Sequence, residues 1–336
     1  MPAPSDNPMS RRTALALLGT ATGMAILDPR LYGAESVEDK LRNLLPRFSG
    51  PSRALLGRII MDSAFMGQIA PADVAALAKN ENTTVEHLML ELLPLAKSYS
   101  HAPISNFFVG VVVRGASGTL YLGANLEIPG QCLGFAVHAE QSALAKAYMN
   151  SELSVPALAV VGGAPCGHCR QFMEEISPDG EMSILVPGKP ARTLSSILPD
   201  AFGPAALGAK QGALPVRQTN LTLTNTTPDP TTNAALEAAR NSYAPYSKSP
   251  AGVAIRTERG RIYRGSYIEN VAFNPSLSPL QTALTHQVAA AEPYSAISAV
   301  ALVEIDGAKI SQRAVTETVL SAIAPKVKLQ VKFARG

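Results

Sequence analysis

The stretch from Ala102 to Glu127, APISNFFVGVVVRGASGTLYLGANLE, places two β-rich runs, FFVGVVVR and TLYLGANLE, on either side of Gly115-Ala116-Ser117-Gly118. Valine-rich and aromatic runs flanking a glycine-bounded turn specify an antiparallel hairpin. The pattern returns at Pro245–Asn270, PYSKSPAGVAIRTERGRIYRGSYIEN, where Gly252 stands against Gly110, Gly265 against Gly123 and Glu269 against Glu127. A second match follows each hairpin: HAEQSAL at His138–Leu144 and SPLQTAL at Ser278–Leu284. The chain therefore contains one domain twice.

Around the first hairpin the apolar period alternates. VHAEQSALAKAYMN reads as a helix, ALAVVGG as a strand, the run from Pro165-Cys166 through GHCRQFMEEI as a helix and MSILVPG as a strand. Such alternation specifies the α/β class, with helices packed on a mixed sheet. Upstream, VEDKLRNLLPRF, RALLGRIIMDSAF and TVEHLMLELLPLAKSY carry apolar residues three and four apart, which makes residues 35–98 a small N-terminal helical region. The first copy is expected over 99–205 and the second over 236–336. Between them 206–235 reads as a linker, because LPVRQTNLTLTNTTPDPTTN is rich in Thr, Asn and Pro.

A chain of 336 residues with 46% hydrophobic and 16% charged residues can bury a sizeable core. Its net charge of +3, with no long basic run and no Trp, lacks the electrostatic footprint of a nucleic-acid binder. Small polar ligands are the better expectation. No apolar run reaches the length of about 18 residues that a membrane-spanning helix needs, so the mature protein is expected free of the membrane. Residues 1–34 differ from the rest: Ser10-Arg11-Arg12 precedes a mild apolar run from Thr13 to Leu27, followed by Arg30 and the small residues Gly33-Ala34. This pattern is that of a twin-arginine leader, implying a periplasmic destination, although Ala14 stands where such leaders usually carry Phe. The alternative is an ordinary N-terminus on a cytoplasmic protein.

Cys132, Cys166 and Cys169 are the only cysteines, too few for a disulfide framework. Pro165-Cys166-Gly167-His168-Cys169 puts two thiols on the first turn of a helix, where the helix dipole favours thiolate. With His138 they make a Cys2His set that leaves one position open, the arrangement of a catalytic rather than a closed structural zinc site. Glu140, two residues from His138, is then placed to move protons at a zinc-activated water without being a ligand. The second copy supports this reading: Ser278 and Leu280 occupy the positions of His138 and Glu140, and nothing downstream matches the cysteine pair. A fold survives on its apolar pattern alone, so residues confined to one copy are candidates for chemistry. His168 reads as a solvated helix residue, and Arg170 as a cation beside the thiolates or a member of a surface ion pair.

The combination of HAE with PCGHC resembles the zinc nucleoside and nucleotide deaminases. SNFFVG, YLGANLEI, VHAEQSALAKAY, PCGHCRQFM, LPDAFGP, PYSKSPAGVAI and FNPSLSPLQTAL together are similar to the two-domain, homodimeric bacterial cytidine deaminase family, from about Val37 to the C-terminus. That resemblance implies a duplicated three-layer α/β/α domain with a mixed sheet, and one zinc ion per chain on His138, Cys166 and Cys169, with Glu140 as general acid and base. It implies hydrolytic deamination of cytidine and 2'-deoxycytidine, in the salvage of pyrimidines. It also implies that Asn125 and Glu127 hold the sugar hydroxyls, that Phe107 and Ala139 lie against the nucleoside, and that Phe202 reaches the nucleoside of a neighbouring subunit. Deamination of another small heterocycle or a modified nucleoside, or of a base within a nucleic acid, would share the zinc site. A structural zinc or nucleoside-binding protein would not need Glu140.

Overall fold

The structure is a computed structural model that describes residues 37–224 and 229–336. The leader expected over residues 1–34 lies outside the described residues. The described residues begin with helices α1 (Val37–Leu44) and α2 (Gly50–Met61), a short strand β1 (Gln68–Ile69) and helix α3 (Pro71–Asn80). Helices α4 (Val85–Glu91) and α5 (Leu93–Ser98) lead into the hairpin of β2 (Gly110–Arg114) and β3 (Leu120–Ala124). Then come α6 (Ala139–Met149), β4 (Ala157–Val161), α7 (Gly167–Ile176), β5 (Ser183–Leu185), β6 (Arg192–Thr193) and the one-turn α8 (Leu194–Ile197). The second half runs β7 (Thr222–Leu223), α9 (Pro230–Arg240), β8 (Ala251–Thr257), β9 (Ile262–Ser266), α10 (Pro279–Ala289), β10 (Ile297–Ile305), α11 (Arg313–Ile323) and β11 (Leu329–Arg335).

The two halves repeat one sheet. The first has the order β1-β3-β2-β4-β5-β6 and the second β7-β11-β10-β8-β9, so β3-β2-β4-β5 corresponds to β9-β8-β10-β11. Each sheet is mixed: β4 and β5, like β10 and β11, run parallel, whereas the hairpins are antiparallel. Helices cover both faces, which is why β2 reads as an unbroken Val-Val-Val run rather than as an alternation. Val111 and Val113 enter a core shared by the two halves, with Leu144 and Leu158 from the first and Val253, Ile255, Leu284 and Leu302 from the second. Val112, Leu120 and Leu122 face the other way, against Leu88, Met89, Leu92 and Leu93 of α4 and α5.

The paired glycines mark where helices touch strands. A Cβ on Gly123 would sit 2.4 Å from Ala139 O in the first turn of α6, and one on Gly265 2.1 Å from Pro279 O in the first turn of α10. Neither helix tolerates a side chain there without lifting off its sheet. Gly123 thereby sets how closely the HAE turn lies on the hairpin.

Two features depart from the expected organisation. Helices α4 and α5, read as part of a separate helical region, form the outer layer of the first sheet, as α9 does for the second. The stretch read as a linker is partly built into the second half, since Thr222–Leu223 pairs with β11 and α9 starts at Pro230. Asp229 caps α9 through Oδ1, which accepts from Thr231 N at 2.8 Å. The Thr, Asn and Pro content that suggested a linker is thus partly capping chemistry.

The halves meet through reciprocal bonds between α6, α10 and the loops that precede them. Gln141 Nε2 donates to Pro275 O, and Gln281 Nε2 to Phe135 O, both at 3.0 Å.

Candidate metal and active site

His138 sits at the N-cap of α6 and Cys166 at the N-cap of α7, with Cys169 on the first turn of α7. His138 Nδ1 lies 3.5 Å from Cys166 Sγ and 3.3 Å from Cys169 Sγ, and the sulfurs are 3.6 Å apart. A tetrahedral ion about 2.3 Å from sulfur and about 2.0 Å from nitrogen separates its ligand atoms by roughly 3.5–3.8 Å. The three donors therefore fit zinc. Among the described residues this is the group of potential ligands whose atoms converge, all within 4.8 Å of one another.

The thiols compete for one proton. The bond from Cys169, then the one from His138, brings Cys166 down to about 3, whereas the contact with Cys166 and then burial push Cys169 up. Cys166 likewise raises the proton affinity of His138. Glu140 is buried at 5% exposure. Burial raises its pKa against the opposing pull of its own backbone N–H, the Cys169 thiol and His138. A carboxyl held up by burial beside a metal set is suited to taking and returning a proton near neutral pH.

The residues expected to hold the sugar form a clamp on the loop before β2. Glu127 Oε2 accepts from Ile104 N at 2.8 Å and Ser105 N at 3.0 Å, and Oε1 accepts from Ser105 Oγ at 2.5 Å. Burial works against its charge, but these donors prevail and its pKa falls below the usual carboxylate range. Asn125 Oδ1 accepts from Ser100 Oγ at 2.5 Å and Val109 N at 2.8 Å, while Nδ2 donates to Phe107 O at 2.9 Å. A carboxylate offers about four acceptor sites and an amide two donors, so among the described residues one acceptor on Glu127 and one N–H on Asn125 remain. Ser100 and Ser105 were not singled out in the sequence, although Ser105 aligns with Ser247 in the repeat.

Phe107 is 56% exposed. A Cβ on Gly162, at the end of β4, would lie 3.6 Å from its Cζ, so the ring borders the loop that delivers Cys166. Ala139 is buried between the metal ligand and Glu140. Phe202 is 48% exposed, and its carbonyl accepts from Gln171 Nε2 at 2.7 Å, two residues beyond Cys169.

Two neighbours of the cysteines differ from expectation. The described bonds of the Arg170 guanidinium run to Pro165 O at 2.8 Å and Ile197 O at 2.7 Å, so it braces the PCGHC turn against α8. His168, read as solvated, is half-buried and stacks on His138 with ring centroids 5.0 Å apart. Spacing along one helix carries no sign of a ring on another.

The far end of α7 is anchored in the second half. Glu175 is fully buried; its Oε1 accepts from Tyr243 and Tyr246 hydroxyls at 2.7 and 2.6 Å, and its Oε2 from Val271 N at 2.8 Å.

Two family models, each described as the cytidine and deoxycytidylate deaminase zinc-binding region, match residues 83–184 and 194–317. The cytidine deaminase of Vibrio atlanticus (strain LGP32) is 42% identical over 275 residues, covering 82% of this chain and 92% of that protein. That of Vibrio vulnificus (strain YJ016) is 43% identical over 272 residues, covering 81% and 91%. That of Aliivibrio fischeri (strain ATCC 700601 / ES114) is 40% identical over 294 residues, covering 88% and 98%.

Proposed function

The chain belongs to the cytidine deaminase family, and from that premise we propose that it converts cytidine and 2'-deoxycytidine, with water, to uridine and 2'-deoxyuridine and ammonia, a step of pyrimidine salvage. The observation that carries this reading is the convergence of His138, Cys166 and Cys169 at the starts of two helices, with buried Glu140 bonded to the Cys169 thiol. Zinc held by those three residues supplies a Lewis acid and an acidified water. Glu140 takes the proton that the attacking water loses and places it on N3 of the base; it then takes the proton of the new C4 hydroxyl and delivers it to the amino group, which departs as ammonia as C4=O forms. The one acceptor left on Glu127 and the one N–H left on Asn125 suit a single sugar hydroxyl, which donates to the first and accepts from the second. One hydroxyl suffices, which is consistent with both ribo- and deoxyribonucleosides. The test is to incubate the purified protein with a panel of free nucleosides, with and without a zinc chelator. Chelator-sensitive ammonia release confined to cytidine and deoxycytidine supports the reading; release from another heterocycle alone overturns it.

The protein works as a homodimer in which Phe202 covers the nucleoside bound by the neighbouring subunit. Support comes from apolar side chains left in solvent: Leu133 at 70% and Phe273 at 64% exposure, which hold equivalent positions in the two halves, and Phe202 itself. Light scattering should give two subunits. Mixing inactive Glu140→Gln with inactive Phe202→Ala subunits should restore activity in the mixed dimer, and no recovery after subunit exchange sinks the shared site.

The twin-arginine pattern at Arg11-Arg12 supports export to the periplasm of a folded, zinc-loaded chain, in which the metal protects Cys166 and Cys169 from oxidation. Fusing residues 1–40 to a reporter and comparing Arg-Arg with Lys-Lys tests it. Equal export with both pairs, or with neither, returns the protein to the cytoplasm.

A further inference from the structure

His168 lies between the two cysteine ligands in sequence, and its ring faces that of His138 with centroids 5.0 Å apart and planes 29° from parallel. The contact bears on a weak point of the site. The outer torsion of a histidine is broad and roughly two-fold, so a rotamer well alone does not decide whether ring nitrogen or ring carbon faces a given point. Metal-binding histidines usually resolve this by donating their second ring nitrogen to a carboxylate or carbonyl. For His138 the described ring bonds run from Nδ1 to Cys166 and Cys169, and none among the described residues reaches Nε2. Its backbone N–H is taken by Gln141 Oε1 at 3.3 Å, which fixes the main chain but not the ring.

We propose that His168 is a positioning residue for the metal site, holding the plane of His138 by face-to-face ring contact so that Nδ1 points at both sulfurs. The proposal rests on the metal reading of His138, Cys166 and Cys169. Both rings ride on helix starts that are themselves fixed: α6 is pressed onto the hairpin at Gly123, and the PCGHC turn is braced by Arg170. The stack closes the one remaining rotation between two rigid bodies. Contact between flat rings needs no proton on either partner, so any flat ring at position 168 should serve.

The test uses the full chain loaded with zinc, and three proteins: wild type, His168→Ala and His168→Phe. Competition with a chromophoric chelator reads zinc affinity, and replacement by cobalt(II) reads the ligand geometry through visible ligand-field and thiolate charge-transfer bands. His168→Ala should bind zinc about 10-fold more weakly and shift the cobalt bands, as loss of an outer-shell partner does. His168→Phe should stay within about 3-fold of wild type, because the flat face is kept. Alanine favours helix more than histidine does, so intrinsic helix propensity does not account for the loss in His168→Ala. Equal affinity and identical cobalt spectra in wild type and His168→Ala overturn the proposal. So does a His168→Phe variant as impaired as His168→Ala, which would mean that imidazole chemistry rather than the ring face is required. A wild-type chain that binds neither metal refutes the underlying metal reading instead.

Discussion

Glu127 and Glu269 hold the same loop in the same way in the two halves, whereas His138 and Ser278 occupy one position and do different work. Glu269 Oε2 accepts from Tyr246 N at 2.7 Å and Ser247 N at 3.1 Å, matching the bonds of Glu127 to Ile104 and Ser105. Ser278 caps α10: its Oγ accepts from Gln281 N at 3.3 Å and its N–H is taken by Gln281 Oε1 at 3.1 Å, a capping box. At the start of α6 Gln141 keeps its half of that box, but His138 directs its ring to the sulfurs. Leu280 is fully buried where Glu140 stands in the first half. The second half thus has a cap and an apolar residue where the first has a metal ligand and a buried carboxyl, so the sites that differ are those where chemistry and stability conflict. Glu127 qualifies this: a residue kept in both halves serves the fold and, in the first half, keeps an acceptor that no described group fills.

The sharpest way to break the comparison is to give the first half the character of the second. Glu140→Gln removes the proton carrier and keeps the shape, and should lower kcat about 10³- to 10⁴-fold while zinc remains at one per chain by elemental analysis. Glu140→Leu copies Leu280; it should be equally inactive and more resistant to urea than wild type, because a buried ionisable group is removed. Turnover near wild type in metal-loaded Glu140→Gln would remove Glu140 from the reaction.

The next effect lies where the two helices correspond but neither residue serves catalysis. Lys146 and His286 hold equivalent positions on α6 and α10 and are both buried. Lys146 Nζ donates to Ser142 Oγ at 3.0 Å, and burial brings its pKa down to about 7. His286 Nδ1 lies 3.1 Å from Thr282 O; burial, then the charges of Lys146 and Arg264, bring it down to about 3. In each case the unfolded chain binds the proton more tightly, so stability rises with pH across the gap between folded and unfolded values. For Lys146 that window runs from about 7 to about 10.4, and the penalty is fully present below it, up to about 5 kcal/mol. His286 adds a second rise between about 3 and 6.5. Lys146→Met should therefore stabilise the protein most below pH 7, and its advantage should shrink toward pH 10. Urea unfolding of both proteins from pH 6 to 10 checks this, and a difference independent of pH would show that Lys146 is charged without penalty.

The candidate metal site of the first half was legible because its residues are adjacent in sequence: HAE and PCGHC each span one helix turn, and the repeat marks what one half has and the other lacks. The glycine pairs were legible as pairs, although their reason, strand-to-helix approach, needed coordinates. The outer-layer helices were only partly legible: α4 and α5 were read as helices, but nothing local shows which sheet they cover, and α9 was hidden because prolines and threonines that cap or start a helix have the composition of a linker. Contacts between elements left no local trace at all. His168 on His138, Arg170 on Ile197 O, Glu175 among the tyrosines of the other half and Lys146 near His286 all join residues brought together by folding.

The smallest effect separates the two roles assigned to Glu127. In the second half the position of Asn125 is held by Tyr267, whose hydroxyl reaches Glu269 Oε1 at 3.4 Å and so fills the acceptor that Glu127 leaves open. If the clamp were all that Glu127 provides, Glu127→Gln and Glu269→Gln would be equivalent. Each puts an amide among backbone N–H donors, and each should cost about 1–3 kcal/mol of stability through a mismatched bond. Only Glu127→Gln also loses the acceptor for a sugar hydroxyl, a further contribution of about 1–1.5 kcal/mol, so its KM for cytidine should rise roughly 10-fold with kcat much less affected. Glu269→Gln should leave KM within about 2-fold. Steady-state kinetics and urea unfolding on the same preparations decide it. Equal KM in both variants and wild type would make Glu127 a clamp alone, whereas a raised KM in Glu269→Gln would mean that the second loop acts on the site from across the chain.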